Sequence, residues 1–304
     1  MPPKGPRLTA EEKALLRGWI ADGAKFPETA MGRKETWWSL APVVRPALPA
    51  VGASGSDHAV DRFIDAKLAE NGMRPSGDAD ARTVMRRLHF DVTGLPPSPE
   101  DARAFEAEAA AKGLPAAVAS LADRLLASPQ YGERGARHWL DVARYGETHG
   151  YDKDKPRPNA WHYRDYVIRS LNADKPWSRF VAEQLAGDTL FPDTLDGITG
   201  QGFLAAGPWD FIGHAELPET KTDGKIARVL DRDDMVSNAI NAFCGVTVQC
   251  ARCHDHKFDP VKQADYYRLQ AVFAAVDKAD RTFDLESEAA KKRRELTGRR
   301  EALD

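Results

Sequence analysis

Apolar residues recur at helical spacing along most of the chain, and nowhere does a strand-type alternation of apolar and polar positions persist. Leu15, Leu16, Trp19 and Ile20 form the first stripe; Thr9 is placed to cap that helix, Glu12 to complete a capping box and Gly23 to end it. Val60, Phe63, Ile64 and Leu68 repeat the period up to Asn71-Gly72. Further helices are predicted over residues 83–90, behind the Ser98 cap with Glu100 and Asp101 in its first turn, and around Val118, Leu121, Leu125 and Leu126. The pattern continues over residues 133–145, 163–171, 233–246 and 264–276. A last, mostly charged helix over 289–303 reads as solvated and leading toward a further domain. Two stretches break the period. Residues 41–57 are rich in Pro, Ala, Gly and Ser and read as a linker or an extended wrap. Residues 187–222 hold many glycines and prolines without a clear period and read as a long irregular segment. The predicted fold is mainly α, an irregular multi-helix domain with long loops.

Composition narrows the function. The 304 residues carry a net charge of −3 with acidic and basic groups intermixed, so no basic face marks a nucleic-acid partner. No apolar run approaches the roughly 20 residues that cross a bilayer. Met1-Pro2-Pro3-Lys4-Gly5 has neither the basic nor the apolar region of a signal peptide.

The chemistry sits in Cys250-Ala251-Arg252-Cys253-His254. Two thiols three residues apart can add to the two vinyl groups of one haem, and the adjacent histidine then becomes the proximal iron ligand. Two other readings of these residues stay open. A redox thiol pair needs a βαβ context that the pattern does not supply. A zinc site on Cys250, Cys253 and His254 or His256 would draw its ligands from one short segment, whereas structural zinc takes a second pair from elsewhere. Arg252 and Lys257 are candidates to pair with haem propionates, or are ordinary surface charges. Asp259 is a candidate partner for the proximal imidazole. Cys244 reads as a small buried hydrophobe.

The sixth iron position decides between electron transfer and ligand activation. The candidates for it are His138, in mid-helix beside Trp139, then His149 and His214 in glycine-containing loops, and His256 and Met235. His256 lies too near His254 to cross to the other haem face, and Met235 reads as core. For a catalytic haem, the polar residues to test are His138, Asp141, Arg144, His149 and Tyr151, which read equally well as a helix-end hydrogen-bond network.

Several stretches together resemble the planctomycete-type cytochrome proteins. They are Trp37-Trp38-Ser39-Leu40, Asp61-Arg62-Phe63-Ile64, Phe90-Asp91-Val92-Thr93-Gly94-Leu95-Pro96-Pro97, His138-Trp139-Leu140-Asp141-Val142-Ala143-Arg144-Tyr145, Asn172-Ala173-Asp174-Lys175-Pro176 and Cys250 to Pro260. In that family a small cytochrome c domain precedes a helical domain of unknown function, and a second uncharacterised domain usually follows. The resemblance implies residues 1–30 as the end of a cytochrome c domain, with Met1 at the place of its distal ligand. It further implies 31–57 as linker, 58–280 as the helical haem-motif domain and 281–304 as a charged linker to the downstream domain. It also implies haem c and a periplasmic or otherwise exported location. Gly135 stands where the family usually has tryptophan, which is expected to loosen packing near His138. The function expected is electron relay within a multidomain oxidoreductase, with the neighbouring cytochrome c and downstream domains as partners. A catalytic haem acting on a small oxidant or a sugar, and a docking scaffold, remain as alternatives.

Overall fold

A computed structural model describes residues 8–24 and 38–303; Met1 and Trp37, and with them the reading of Met1 as a distal ligand, lie outside these. The fold is mainly α, as the periodicity predicts, and among the described residues the only β pairing is an isolated bridge between Thr148 and Pro156. The chain divides into two compact units, residues 1–78 and 79–304.

The first unit holds α1 (Ala10–Ala21) and α2 (Ala59–Glu70). The Thr9–Glu12 capping box forms, with the Glu12 amide donating to Thr9 Oγ1 at 3.2 Å and the Thr9 amide to Glu12 Oε2 at 2.8 Å. Leu15, Leu16 and Ile20 of α1 stay exposed. Residues 41–57 run extended and are strapped to α2 by polar bonds. The Ser54 amide and hydroxyl both donate to buried Asp65, at 3.0 and 2.6 Å, and Arg62 Nε donates to the Pro49 carbonyl at 2.6 Å.

The second unit begins with α3 (Ala81–Val92), α4 (Pro99–Lys112) and α5 (Leu114–Leu126) around Met85, Phe105, Ala117, Leu121 and Leu125. Asp80 caps α3 and Ser98 with Asp101 forms a capping box on α4. Next come α6 (Pro129–Val142), α7 (Trp161–Asn172) and α8 (Trp177–Leu190), which share a second core of Tyr163, Tyr166, Val167, Phe180 and Phe203 with two later helices. The short helices α9 (Leu195–Thr199), α10 (Gly202–Ala205) and α11 (Phe211–Ala215) lead into the long α12 (Thr222–Cys244). A 3₁₀ turn (Gln249–Arg252), α13 (Gln263–Val272) and α14 (Ser287–Glu301) complete the chain.

The segment 187–222, read as irregular, holds the end of α8 and three short helices joined by turns, and its glycines serve close backbone approach. A Cβ on Gly187 would lie 2.0 Å from the Gly197 carbonyl oxygen, and one on Gly202 would lie 2.4 Å from Tyr163 Cβ. Helix α8 has no clear apolar period because its inward face includes Glu183 and Gln184, both buried. Glu183 is held there by Lys175, Arg179 and the Tyr166 hydroxyl, and Gln184 Oε1 accepts from Trp139 Nε1 and from the Tyr163 hydroxyl. Gly135 does not loosen its surroundings: a Cβ there would already meet Leu171 Cδ1 at 3.1 Å.

Candidate functional site

Helix α12 delivers the cysteine segment. It ends at Cys244, and Gly245 takes the left-handed conformation (φ 64°) that closes a helix with no side-chain clash. Val248 and Ala251 then pack, both fully buried, against Val236 of α12 and Tyr266 of α13. With three residues per turn, a 3₁₀ helix stacks positions i and i+3 on one side. Cys250 and Cys253 therefore share a side, and both are exposed while Ala251 between them is buried. The turn is closed by the Ala251 amide donating to the Val248 carbonyl at 2.9 Å and the Cys253 amide to the Cys250 carbonyl at 3.3 Å.

His254 follows at once and is exposed. Its Nδ1 lies 2.7 Å from the Asp255 carbonyl oxygen, so the Nδ1 proton is donated there and the Nε2 lone pair is left available to a metal. Asp259 does not serve this imidazole. It accepts from the Thr247 amide at 3.0 Å and from the Thr247 hydroxyl, which hold its carboxyl below the usual range. The histidine beside Asp259 is His256. Its Nδ1 accepts from the Asp259 amide at 2.8 Å and the Phe258 amide at 3.3 Å, and its Nε2 faces Thr247 Oγ1 at 3.3 Å. Both ring nitrogens of His256 are thus spent on the loop.

Arg252, between the thiols, is gripped at both ends. Its guanidinium lies 3.5 Å from Asp233 of α12, and its carbonyl accepts from the Tyr267 hydroxyl at 3.0 Å and Gln263 Nε2 at 3.3 Å. Lys257 places its ammonium over the Phe258 ring, 5.1 Å from the centroid. Cys244 is exposed at the helix end, not a buried hydrophobe.

The sixth-ligand candidates separate. Met235 is buried in the second core. His149 accepts at Nδ1 from Arg157 Nε at 3.1 Å and stacks on Phe211; burial and the Arg157 charge hold it below the ordinary imidazole range. His214 sets Nδ1 2.8 Å from the Asp210 carbonyl, with Nε2 buried 3.9 Å from Asp231. His138 is the exposed one of the five. Of the polar residues proposed for catalysis, Arg144 pairs with Asp234 through both guanidinium nitrogens, from a left-handed backbone (φ 57°). His149 accepts at its carbonyl from the Trp209 amide at 2.9 Å, so Arg144 and His149 both meet the segment around Gly207. His138, Asp141 and Tyr151 are exposed and do not join them in one cluster.

Sequence reasoning missed the acidic run on α12. Asp231 forms a buried pair with Lys278 (Nζ–Oδ1 2.7 Å), Asp233 holds Arg252 and the Tyr266 hydroxyl, and Asp234 holds Arg144. The signal was there: three carboxylates within four residues of an otherwise half-apolar helix. Among the described residues no three His, Cys, Asp or Glu side chains converge to hold a metal ion unaided. Two exposed thiols on one side of a turn beside an available imidazole are a donor set that fits haem c.

A family model described as PSCyt2, protein of unknown function (DUF1549), matches residues 59–278. The chain belongs to this family. The PSCyt2 match starts with the first residue of α2, ends at the buried Lys278, and so takes in the whole acidic run of α12 and the cysteine segment. No curated protein and no solved structure matches the chain.

Proposed function

We propose that the chain carries one haem c, attached through Cys250 and Cys253 with His254 as proximal ligand, and relays electrons within an exported multidomain oxidoreductase. One observation carries this reading: both thiols face outward from a single 3₁₀ turn whose intervening Ala251 is locked in the core, and the next residue is an exposed imidazole. When bound, haem c supplies a one-electron couple tuned by its axial ligands and surroundings. The chain's own part is to fix the two thiols in register and to present Nε2 of His254 with its proton parked on Nδ1. His138 is the sixth ligand we favour: it is the exposed candidate, whereas Met235 and His256 are committed to packing and hydrogen bonds, His149 is stacked on Phe211, and His214 has its Nε2 buried beside Asp231. The next residue, Trp139, packs on Phe243 just before the end of α12 (ring centroids 5.6 Å apart). The resemblance to planctomycete-type cytochromes points to a cytochrome c domain as electron partner outside the cytoplasm.

The test is expression of the full chain in a host with haem-c maturation machinery. The expected product gains the mass of one haem that survives acid extraction, and its visible bands split on reduction. A colourless protein, with or without zinc, overturns the reading. In the haem-loaded chain, His138→Ala is expected to turn a six-coordinate spectrum into one that binds cyanide or carbon monoxide rapidly.

A further inference from the structure

The two residues between the thiols of such a segment are free, in principle, to point anywhere. Here the side chain of the second, Arg252, is recruited by the helix behind it. Asp233 sits on α12, about three turns before the helix ends at Cys244, with its side chain mostly buried. One carboxylate oxygen accepts from the Tyr266 hydroxyl and the other faces the Arg252 guanidinium at 3.5 Å. Tyr266 is completely buried beside Ala251 and Val248; burial first, and then the Asp233 carboxylate, push its phenol up, so it remains a donor. The same carboxylate thus joins the floor of the turn, through Tyr266, to its outer face, through Arg252. Helix α13 completes the grip from the other side, with Tyr267 and Gln263 on the Arg252 carbonyl.

We infer that Asp233 is a positioning residue for haem attachment: it holds Arg252 inward and thereby keeps Cys250 and Cys253 on one side of the turn. This rests on the haem reading for its purpose, though not for its geometry. Two thioether bonds to one rigid macrocycle need both sulfurs held in a fixed relation, and a 3₁₀ turn of four residues has few backbone hydrogen bonds of its own with which to hold it. The inference assigns Arg252 to the protein and not to a propionate. It also gives one of the three α12 carboxylates a local task that its neighbour Asp234, committed to Arg144, does not share.

The test compares Asp233→Asn, Arg252→Gln and, as control, Asp234→Asn in the full chain. The first readout is hydrogen exchange at the Ala251 and Cys253 amides. The second is the ratio of doubly to singly attached haem, by mass, after expression with maturation machinery. Loss of a hydrogen bond to a charged group predicts exchange about tenfold faster in D233N and in R252Q, with no added effect in the double variant. D234N is expected to leave these amides unchanged, and D233E to restore part of the protection. Singly attached haem is expected to accumulate in D233N. Arg252 lies at the surface, so R252Q tests the grip even if D233N folds poorly. Unchanged exchange in R252Q, or an equal rise in D234N, overturns the inference. If the parent chain takes up no haem, the proposed function fails while the exchange readout still decides whether Asp233 holds the turn.

Discussion

The core around Trp139 and the loop that carries Cys250 are held by opposite means. Around Trp139 the rings of Trp177, Phe180, Phe203 and Phe243 crowd within 5.1–6.0 Å, contributed by α6, α8, α10 and α12. Area removed from water stabilises that region, and the polar groups it contains, Gln184 and Glu183, are satisfied inside it. Under the cysteine segment only Val236, Val248, Ala251 and Tyr266 are buried together. The loop keeps its shape through hydrogen bonds instead: Thr247 to Asp259, His256 to two backbone amides, and Arg252 to Asp233. Under the proposed haem reading such a loop cannot fill its own outer face with side chains, so directional bonds do there what packing does elsewhere. The difference also predicts how each region fails, the aromatic core together with its whole unit and the loop by itself.

Phe203→Ala is the heaviest test of the core. Phe203 is fully buried, and its truncation is expected to lower the stability of the second unit by about 3–5 kcal/mol in denaturant titrations. A loss under 1 kcal/mol would show that the aromatic cluster is not what holds this unit. Ala251→Leu probes the floor of the loop. Overpacking a closed site costs about 1–3 kcal/mol, and the turn should distort before the helices melt, read as lost protection of the Cys253 amide at unchanged helical circular dichroism. Thr247→Val removes the hydroxyl's ties to Asp259 and His256 and leaves the backbone bond in place. It should cost about 1 kcal/mol or less and speed exchange only between residues 247 and 261.

Acid should act in the same place. Asp259 is held below its ordinary carboxyl value of 3.8 by Thr247, so its folded value lies under its unfolded one. The stability it adds is complete above the unfolded value and is lost as pH falls through the folded value. Amide signals of Thr247 and Asp259 are therefore expected to broaden below pH 3.8 in the parent chain and to show a weaker dependence in Thr247→Val, which keeps the backbone bond. Arg103→Ala marks the lower end of the scale. Its pair with Glu100 is exposed on both sides, and the change should stay within about 0.5 kcal/mol.

What was legible in the sequence followed from periodicity and punctuation. Leu121 and Leu125 of α5, the Ser98 cap and the Gly23 stop are all visible as spacing or residue type, and the structure places them as that spacing predicts. The start of α12 at Thr222, eleven residues ahead of the predicted one, was hidden because its early inward residues are Gly224 and Ala227, too small to register as an apolar stripe. Helix α8 was hidden by its buried Glu183 and Gln184, whose satisfaction depends on Lys175 and Tyr163 and so on distant folding. At the site, Cys250, Cys253 and His254 were recognisable because their chemistry is local. Asp233, Tyr266 and the roles of His256 and Asp259 were not, because each depends on which element lies opposite. A spacing rule sees neighbours along the chain and no others.

The 3₁₀ turn also makes the two spacer residues of the motif unequal. Arg252 ends in a half-exposed pair with Asp233, whereas Ala251 is completely buried in the floor of the turn. Lengthening the spacer by a single residue would rotate the second sulfur by about 120° about the turn axis and carry it away from the first. Of all the variation this short stretch might tolerate, a change in its length is the one that no substitution elsewhere could repair.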